Sequence, residues 1–365
     1  MAQDVTGIER LEDRPIAISP AAIEQEFTRI WRETTSAGGA DDSSVRLRVL
    51  NFVGVGPETW TVERFERVME SLPQRHPCRG VLAVTSPERQ GLEASISAHC
   101  WRTSTGGRHV CSEEVVLKAG PADELALAST VLALLVPELP LSVWVIGPIE
   151  LDSRLVSELI DGAETVFVDS SDAPDVASAL RAALNAHRRH NVAICDLAWR
   201  RLEVWRSLVA QFFDGDDGQK RLSQLQGIQI SGGAGLSSEM LLMAGWFVSR
   251  LGLSLAEVSR DGNTIGATLY DGTRGVTLNL SAGDQRRARL SEVKVRTSEA
   301  EFVVQTHPES SHMHVREEWP DDSVHRTVAQ VPTDDASLFA EALDDASDLP
   351  IFLEAAQSAV SLLRD

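Results

Sequence analysis

The spacing of apolar residues divides this chain into short elements. Ile23, Phe27, Ile30 and Trp31 recur at helical intervals behind Ser19, a residue suited to capping a helix. Residues 1–18 show no such periodicity and are expected to be disordered. From Val45 to Val55, apolar positions alternate with Arg46 and Arg48, which predicts a strand. Phe65, Val68, Met69 and Leu72 form the stripe of a helix over 61–72. Strands are then expected over 80–85, 92–102, 109–117, 141–146 and 165–168, and helices over 122–135, 153–160 and 175–187. The strands at 141–146 and 165–168 are apolar throughout, as burial on both faces of a sheet requires. The alternation predicts an α/β N-terminal domain over 19–214, a mixed sheet covered by helices.

That domain is expected to end with a helix from Asp196 to Asp214, DLAWRRLEVWRSLVAQFFD. Asp196 is placed to cap it, and Leu197, Leu202, Val204, Trp205, Leu208, Val209 and Phe212 leave one side apolar. Gly215 to Gly218, GDDG, reads as the linker. Beyond it come a strand over 227–230 and an apolar helix over 237–251. Short strands are expected over 257–270, 276–280, 289–297, 301–306 and 312–317, and helices over 337–342 and 351–363. This pattern predicts an α+β C-terminal domain over 219–365, an antiparallel sheet with helices.

Charge changes the picture of partners. Against 34 Lys plus Arg stand 54 Asp plus Glu, a net charge of −20 over 365 residues. Such a field repels phosphate backbones and anionic lipid, so neither nucleic acid nor a membrane is expected as a partner. Two readings of this charge stay open: a surface that only keeps the chain soluble, and one that steers it toward a basic patch on another protein. The first twenty residues lack the apolar core of a signal sequence. The longest apolar run, Leu125 to Leu135, is shorter than the roughly 20 residues a bilayer requires. Cytoplasm is the expected location.

Candidate chemistry is sparse. There is no recognisable nucleophile–base pair, no paired metal ligands and no glycine-rich dinucleotide loop read after the first strand. Neither catalytic residues nor a cofactor or metal is expected. Gly232 to Gly235 precedes an apolar helix without the GlyLysSer ending of a phosphate loop, and reads as a tight turn. His312 and His314 share one strand face, but two ligands do not make a structural zinc site.

Binding candidates remain, each with a structural alternative. Arg79, in His76-Pro77-Cys78-Arg79, is placed either to grip a carboxylate or phosphate or to pair internally. Asp169 and Ser170, with Ser171, follow an apolar strand, where ligands gather in open sheets and where helix caps also occur. Trp199, Arg200, Trp205 and Arg206 are the residue types that anchor interfaces. Their internal alternative puts the tryptophans in the core and uses the arginines to hold the two domains together. Of the four cysteines, Cys78, Cys100 and Cys111 are redox candidates; the alternative is buried thiols acting as small hydrophobes. With Gly106 and Gly107 as a hairpin loop, Cys111 falls opposite Arg102 and the sulfurs of Cys100 and Cys111 become diagonal neighbours.

Several segments, taken in order, resemble one family: HPCR at 76–79, CSE at 111–113, PELPLSVW at 137–144, VDSS at 168–171, the DLAWRRLEVWR helix and AGWFVSRLG at 244–252. Together they are similar to the OpcA family, the glucose-6-phosphate dehydrogenase assembly proteins. The likeness runs from about residue 20 to the C-terminal helix. It departs at Val145, where the family often has a second tryptophan. The resemblance implies a two-part fold and a non-catalytic partner of glucose-6-phosphate dehydrogenase that promotes its active oligomer, in photosynthetic bacteria tied to redox state. The competing readings are a sugar-phosphate or nucleotide-binding enzyme using Arg79, Asp169 and Arg200, and a thiol-based redox adaptor with thioredoxin as a partner.

Overall fold

A computed structural model of the chain describes residues 9–16, 19–37, 43–102, 108–148, 150–215, 217–233, 235–272, 274–283, 289–306, 312–330, 334–345 and 347–363. The predicted hairpin loop at Gly106 and Gly107, and parts of the predicted disordered stretch 1–18, lie outside these residues. The same holds for the side chains of Trp31 and Cys100.

The chain divides into two units. The first comprises Met1–Asp172, Asn185–Cys195 and Asp334–Asp345; the second comprises Ala173–Leu184, Asp196–Thr333 and Ala346–Asp365. In chain order the elements begin with β1 (Glu9–Ile16), α1 (Pro20–Ala37), β2 (Ser43–Arg46), β3 (Leu50–Pro57), α2 (Glu58–Arg75) and β4 (Cys78–Thr85). They continue with β5 (Leu92–Arg102), β6 (Arg108–Ala119), α3 (Glu124–Leu134), β7 (Leu141–Val145), α4 (Arg154–Ile160), β8 (Thr165–Val168), α5 (Val176–His190) and β9 (Ala193–Asp196).

Among the described residues the first unit holds a nine-stranded sheet in the order β1-β5-β6-β4-β3-β7-β8-β9, with β2 also paired to β6. β6, β4, β3, β7 and β8 run parallel to one another, while β5 is antiparallel to β6. The residues of β3, β4 and β7 are almost all buried, so both faces are covered, as their continuous apolar runs require. Numbered from β3, the strands β3, β4, β6, β7, β8 and β9 lie in the order 3-2-1-4-5-6, with a reversal between β3 and β7. That order defines a doubly wound dinucleotide-type sheet and its switch point. Phe52, Phe65, Trp144, Phe167 and Phe339 make the aromatic core, with centroids 4.6 to 6.5 Å apart.

The second unit contains α6 (Leu197–Arg200), α7 (Glu203–Gln211), α8 (Gly218–Ser223), β10 (Leu225–Gly232), α9 (Ser238–Arg250), β11 (Ser254–Asp261), β12 (Thr264–Tyr270) and β13 (Gly275–Ala282). β14 (Glu292–Thr297), β15 (Glu301–Thr306), β16 (His312–Glu318) and β17 (Ser323–Ala329) complete its sheet. α10 (Asp335–Asp344) returns to the first unit and α11 (Leu349–Leu362) to the second. The eight strands lie in the order β11-β12-β13-β10-β14-β15-β16-β17. Their alternating burial leaves one face apolar beneath the helices, with Ile228, Ile230, Leu278, Leu280, Val293 and Val304 buried. Ser237 caps α9, its hydroxyl accepting from the Met240 amide at 3.2 Å.

Several expectations are corrected. Residues 9–16 of the stretch expected to be disordered form β1, which pairs antiparallel with β5. The strand predicted from Val45 to Val55 is two strands, because β2 joins β6 while β3 lies between β4 and β7. The second sheet is mixed, since β10 and β13 pair in parallel. Asp196 caps as predicted, accepting from the Ala198 amide at 3.0 Å, but the long helix behind it breaks at Arg201 and Leu202 into α6 and α7. This segment belongs to the second unit, so Gly215 to Gly218 lies inside that unit and is no boundary between the two.

Candidate functional site

The predicted binding residues fall into three buried clusters, each occupied from within. Arg79, second residue of β4, is 2% exposed. Its Nε donates to Glu113 at 2.9 Å, its Nη1 to the Leu134 carbonyl at 2.9 Å, and Glu24 of α1 closes the group. Burial alone would lower the Arg79 pKa; the contacts with Glu24 and Glu113 outweigh it and raise it. No face of this guanidinium remains for a phosphate. Cys78 beside it is a buried free thiol pushed up to about 12 by burial, so it is protonated at neutral pH and a poor redox group.

At the end of β8, Asp169 accepts from Arg64 at 3.0 Å and from the Ser171 amide at 3.1 Å. Arg64 also binds Asp172, and Asp335 at 2.7 Å, while its guanidinium lies 5.2 Å from the Trp144 ring centroid. Ser170 is buried. The carboxyl ends here serve to tie α2 and α10 to the sheet.

In the second unit, Trp199, Arg200 and Arg206 converge on Asp348. Trp199 Nε1 and Arg206 Nη2 each donate to it at 2.7 Å, and Arg200 stands 3.8 Å away. The Arg206 guanidinium lies 3.5 Å above the Trp199 ring, and Trp205 is buried. These arginines fasten α6 and α7 to the start of α11 within one unit; the predicted role between domains is thus replaced.

The Cys100 register also differs. The ladder sets Cys100 directly opposite Cys111, and Arg102 opposite His109, so the expected pairing of Cys111 with Arg102 is shifted by two residues. Cys111 is disulfide-bonded, and Cys195 is not.

The switch point itself lies at the end of β3. Gly54-Val55-Gly56 ends β3 and Glu58 opens α2, an arrangement hidden because the run was read as strand alone. The signal was available: two glycines one residue apart, closing an apolar strand ahead of an amphipathic helix. Glu58 accepts from Arg89 Nε at 2.9 Å, from Arg89 Nη2 at 2.9 Å and from Lys118 Nζ at 3.0 Å. The Arg89 hydrogen bond leads the causes that hold the Glu58 carboxyl down at about 2, with Lys118 adding to it against a partial burial penalty. A cavity of about 130 Å³ remains beside the strand ends, walled by Val55, Gly56, Thr85, Ile146, Glu124 and Glu150 among others. Among the described residues no cluster of three or more His, Cys, Asp or Glu is arranged for a metal, and no helix is long and apolar enough to cross a membrane.

Comparison with known proteins places this geometry. The chain is similar in fold to the 3-ketoreductase KijD10 of Actinomadura kijaniata, solved with TDP-benzene and NADP. That match has a TM-score of 0.52 and 14% identity over 86% of this chain and 96% of the other. An NAD binding oxidoreductase of Klebsiella pneumoniae gives a TM-score of 0.50 at 11% identity, over 86% and 95%. At such identities the likeness shows the two-domain α/β fold. In sequence, the protein of Synechocystis sp. named "Putative OxPP cycle protein OpcA" is 29% identical over 50% of this chain and 39% of its own length. A protein of the same name in Nostoc punctiforme is 27% identical over 63% of this chain and 48% of its own. The chain thus spans less than half the length of these curated relatives. Residues 69–185 match the family described as glucose-6-phosphate dehydrogenase subunit N-terminal domain, and residues 192–356 match its C-terminal domain. With both halves matched in order, the chain belongs to the OpcA family.

Proposed function

We propose that this chain is a non-catalytic assembly factor and allosteric activator of glucose-6-phosphate dehydrogenase, serving the oxidative pentose phosphate pathway in the cytoplasm. The observation that carries the reading is the match of both halves to a glucose-6-phosphate dehydrogenase subunit. The geometry supports it: Arg79, Asp169 and the Trp199–Arg206 group are taken up by internal ion pairs. The mechanism is population shift, in which the chain binds the active oligomer better than the inactive form. A differential affinity of about 3 kcal/mol moves that equilibrium roughly a hundredfold. Mixing the purified chain with the dehydrogenase of the same organism tests this by size-exclusion chromatography and NADPH production. Co-elution with raised activity is expected; separate elution and unchanged activity at micromolar concentrations reject it.

The fold likeness to oxidoreductases favours a second reading, a nucleotide- or sugar-phosphate-binding enzyme. It requires stabilisation by a small ligand in thermal melts. A thiol-based layer is compatible with the first reading and is supported by the disulfide at Cys111 and the Cys100–Cys111 register, with thioredoxin as the reductant. Alkylation before and after reduction, read by mass spectrometry, tests it; four labelled cysteines without reductant remove it.

A further inference from the structure

A doubly wound sheet receives a dinucleotide at its switch point by three devices. A first glycine makes the turn, a second lets the backbone approach the pyrophosphate, and the free amides at the following helix N-terminus meet its charge. In this chain both glycines have been turned inward. A β-carbon on Gly54 would overlap the Phe65 ring, so that glycine admits a side chain of α2. A β-carbon on Gly56 would overlap the Ile146 carbonyl and lie 2.8 Å from Thr61 Oγ1. The backbone that approaches here is therefore the chain's own, and the Ile146 amide donates to the Val55 carbonyl at 2.8 Å, sealing β3 to the end of β7. The position three residues after Gly56, a glycine in the motif, is Thr59.

The electrostatics agree with the packing. A carboxylate, Glu58, sits on the first turn of α2, where the helix dipole favours a negative charge. Arg89 follows β4, the place from which an arginine reaches the 2′-phosphate of NADP in such sheets. Here it is engaged bidentately by Glu58. The remaining cavity of about 130 Å³ is below the roughly 300 Å³ at which ligand pockets begin. Its lining includes Glu124 and Glu150 and neither lysine nor arginine.

We propose that Glu58, clamped by Arg89 and Lys118 at the start of α2, is a built-in substitute for the phosphates of a dinucleotide, and that it closes this crevice to nucleotides. The dinucleotide that the fold implies does not fit the residues present. The inference is independent of any role with the dehydrogenase, since binding is measured on the isolated full chain and can fail without touching that reading.

The test titrates the chain with NADPH and NADH to millimolar concentration, following nucleotide fluorescence and thermal melting. Neither a saturable fluorescence change nor a rise in Tm is expected; saturable binding of either nucleotide overturns the proposal. In parallel, inorganic pyrophosphate is titrated against the wild type and Glu58→Gln. Removing one negative charge beside Arg89, which keeps its pair with Glu93, and Lys118 is expected to tighten pyrophosphate binding by about tenfold or more. Equal response of the two proteins also overturns the proposal. Should Glu58→Gln not fold, Glu58→Ser takes its place, and the nucleotide titration of the wild type stands without either variant.

Discussion

At Asp348 a single carboxylate meets the Trp199 indole and the Arg206 guanidinium, with Arg200 close by. Burial, the largest influence on Arg206, lowers its pKa, so the charge is held in place against a desolvation cost that Asp348 offsets. Removing the carboxylate leaves those donors uncompensated. Asp348→Ala is expected to cost about 3 kcal/mol in urea unfolding. Trp199→Phe, which keeps a ring beneath Arg206 and loses one donor, should cost about 1 kcal/mol. Equal, small losses would refute the cluster's structural role. Glu58 offers a pH signature at the same scale. It ionises at about 2 when folded against 4.5 for an ordinary glutamate, so the folded chain binds fewer protons through that range. Its stabilisation is complete above pH 4.5 and is lost as pH falls through about 2. The stability difference between wild type and Glu58→Gln should therefore shrink on acidification from about pH 5 to about pH 3; a constant difference tells against the ion pairs with Arg89 and Lys118.

Where α9 crosses α11, Gly245 allows the helices into contact: a β-carbon there would overlap the Ala355 carbonyl and lie 2.9 Å from the Ala359 amide. Backbone atoms cannot rotate away as a side chain can, so Gly245→Ala should separate the helices at a cost of about 2–3 kcal/mol. Differential scanning calorimetry would register this as a lowered Tm, and an unchanged Tm would mean the crossing is looser than described. Elements with a strong period and a capping residue were legible in the sequence: α1 behind Ser19, α4 behind Ser153, α9 behind Ser237. β9 was not, because four residues carry too little alternation to separate a strand from the end of a helix. β17 was not, because its side chains are nearly all exposed and only backbone pairing with β16 defines it. The break between α6 and α7 was not legible either, and both helices bond to Asp348, which lies far along the chain. The site was legible only in part for the same reason. Arg79 and Asp169 stand out in the sequence by residue type and place, but whether an arginine grips a ligand or an internal glutamate depends on Glu24, Glu113 and Arg64, which no local spacing brings together.

Over the whole molecule, the ion pairs described are local, and they leave a net charge of −20 to act at a distance. If the chain works on a dehydrogenase, that field sets the first step of the encounter. A charge of this size raises association rates by roughly 10- to 1,000-fold when the partner presents a basic patch, and salt suppresses the gain. Dissociation responds differently, because it depends on short-range packing in a desolvated contact, which salt barely screens. Surface plasmon resonance between the chain and the dehydrogenase separates the two. Raising salt from about 50 mM to about 500 mM shortens the Debye length from roughly 14 Å to roughly 4 Å. The association rate should then fall by about tenfold or more, while dissociation changes by less than about threefold. A salt effect confined to dissociation would place the charges inside the contact, and no salt effect would mean that the acidic surface serves solubility and the partner is recognised by apolar surface alone.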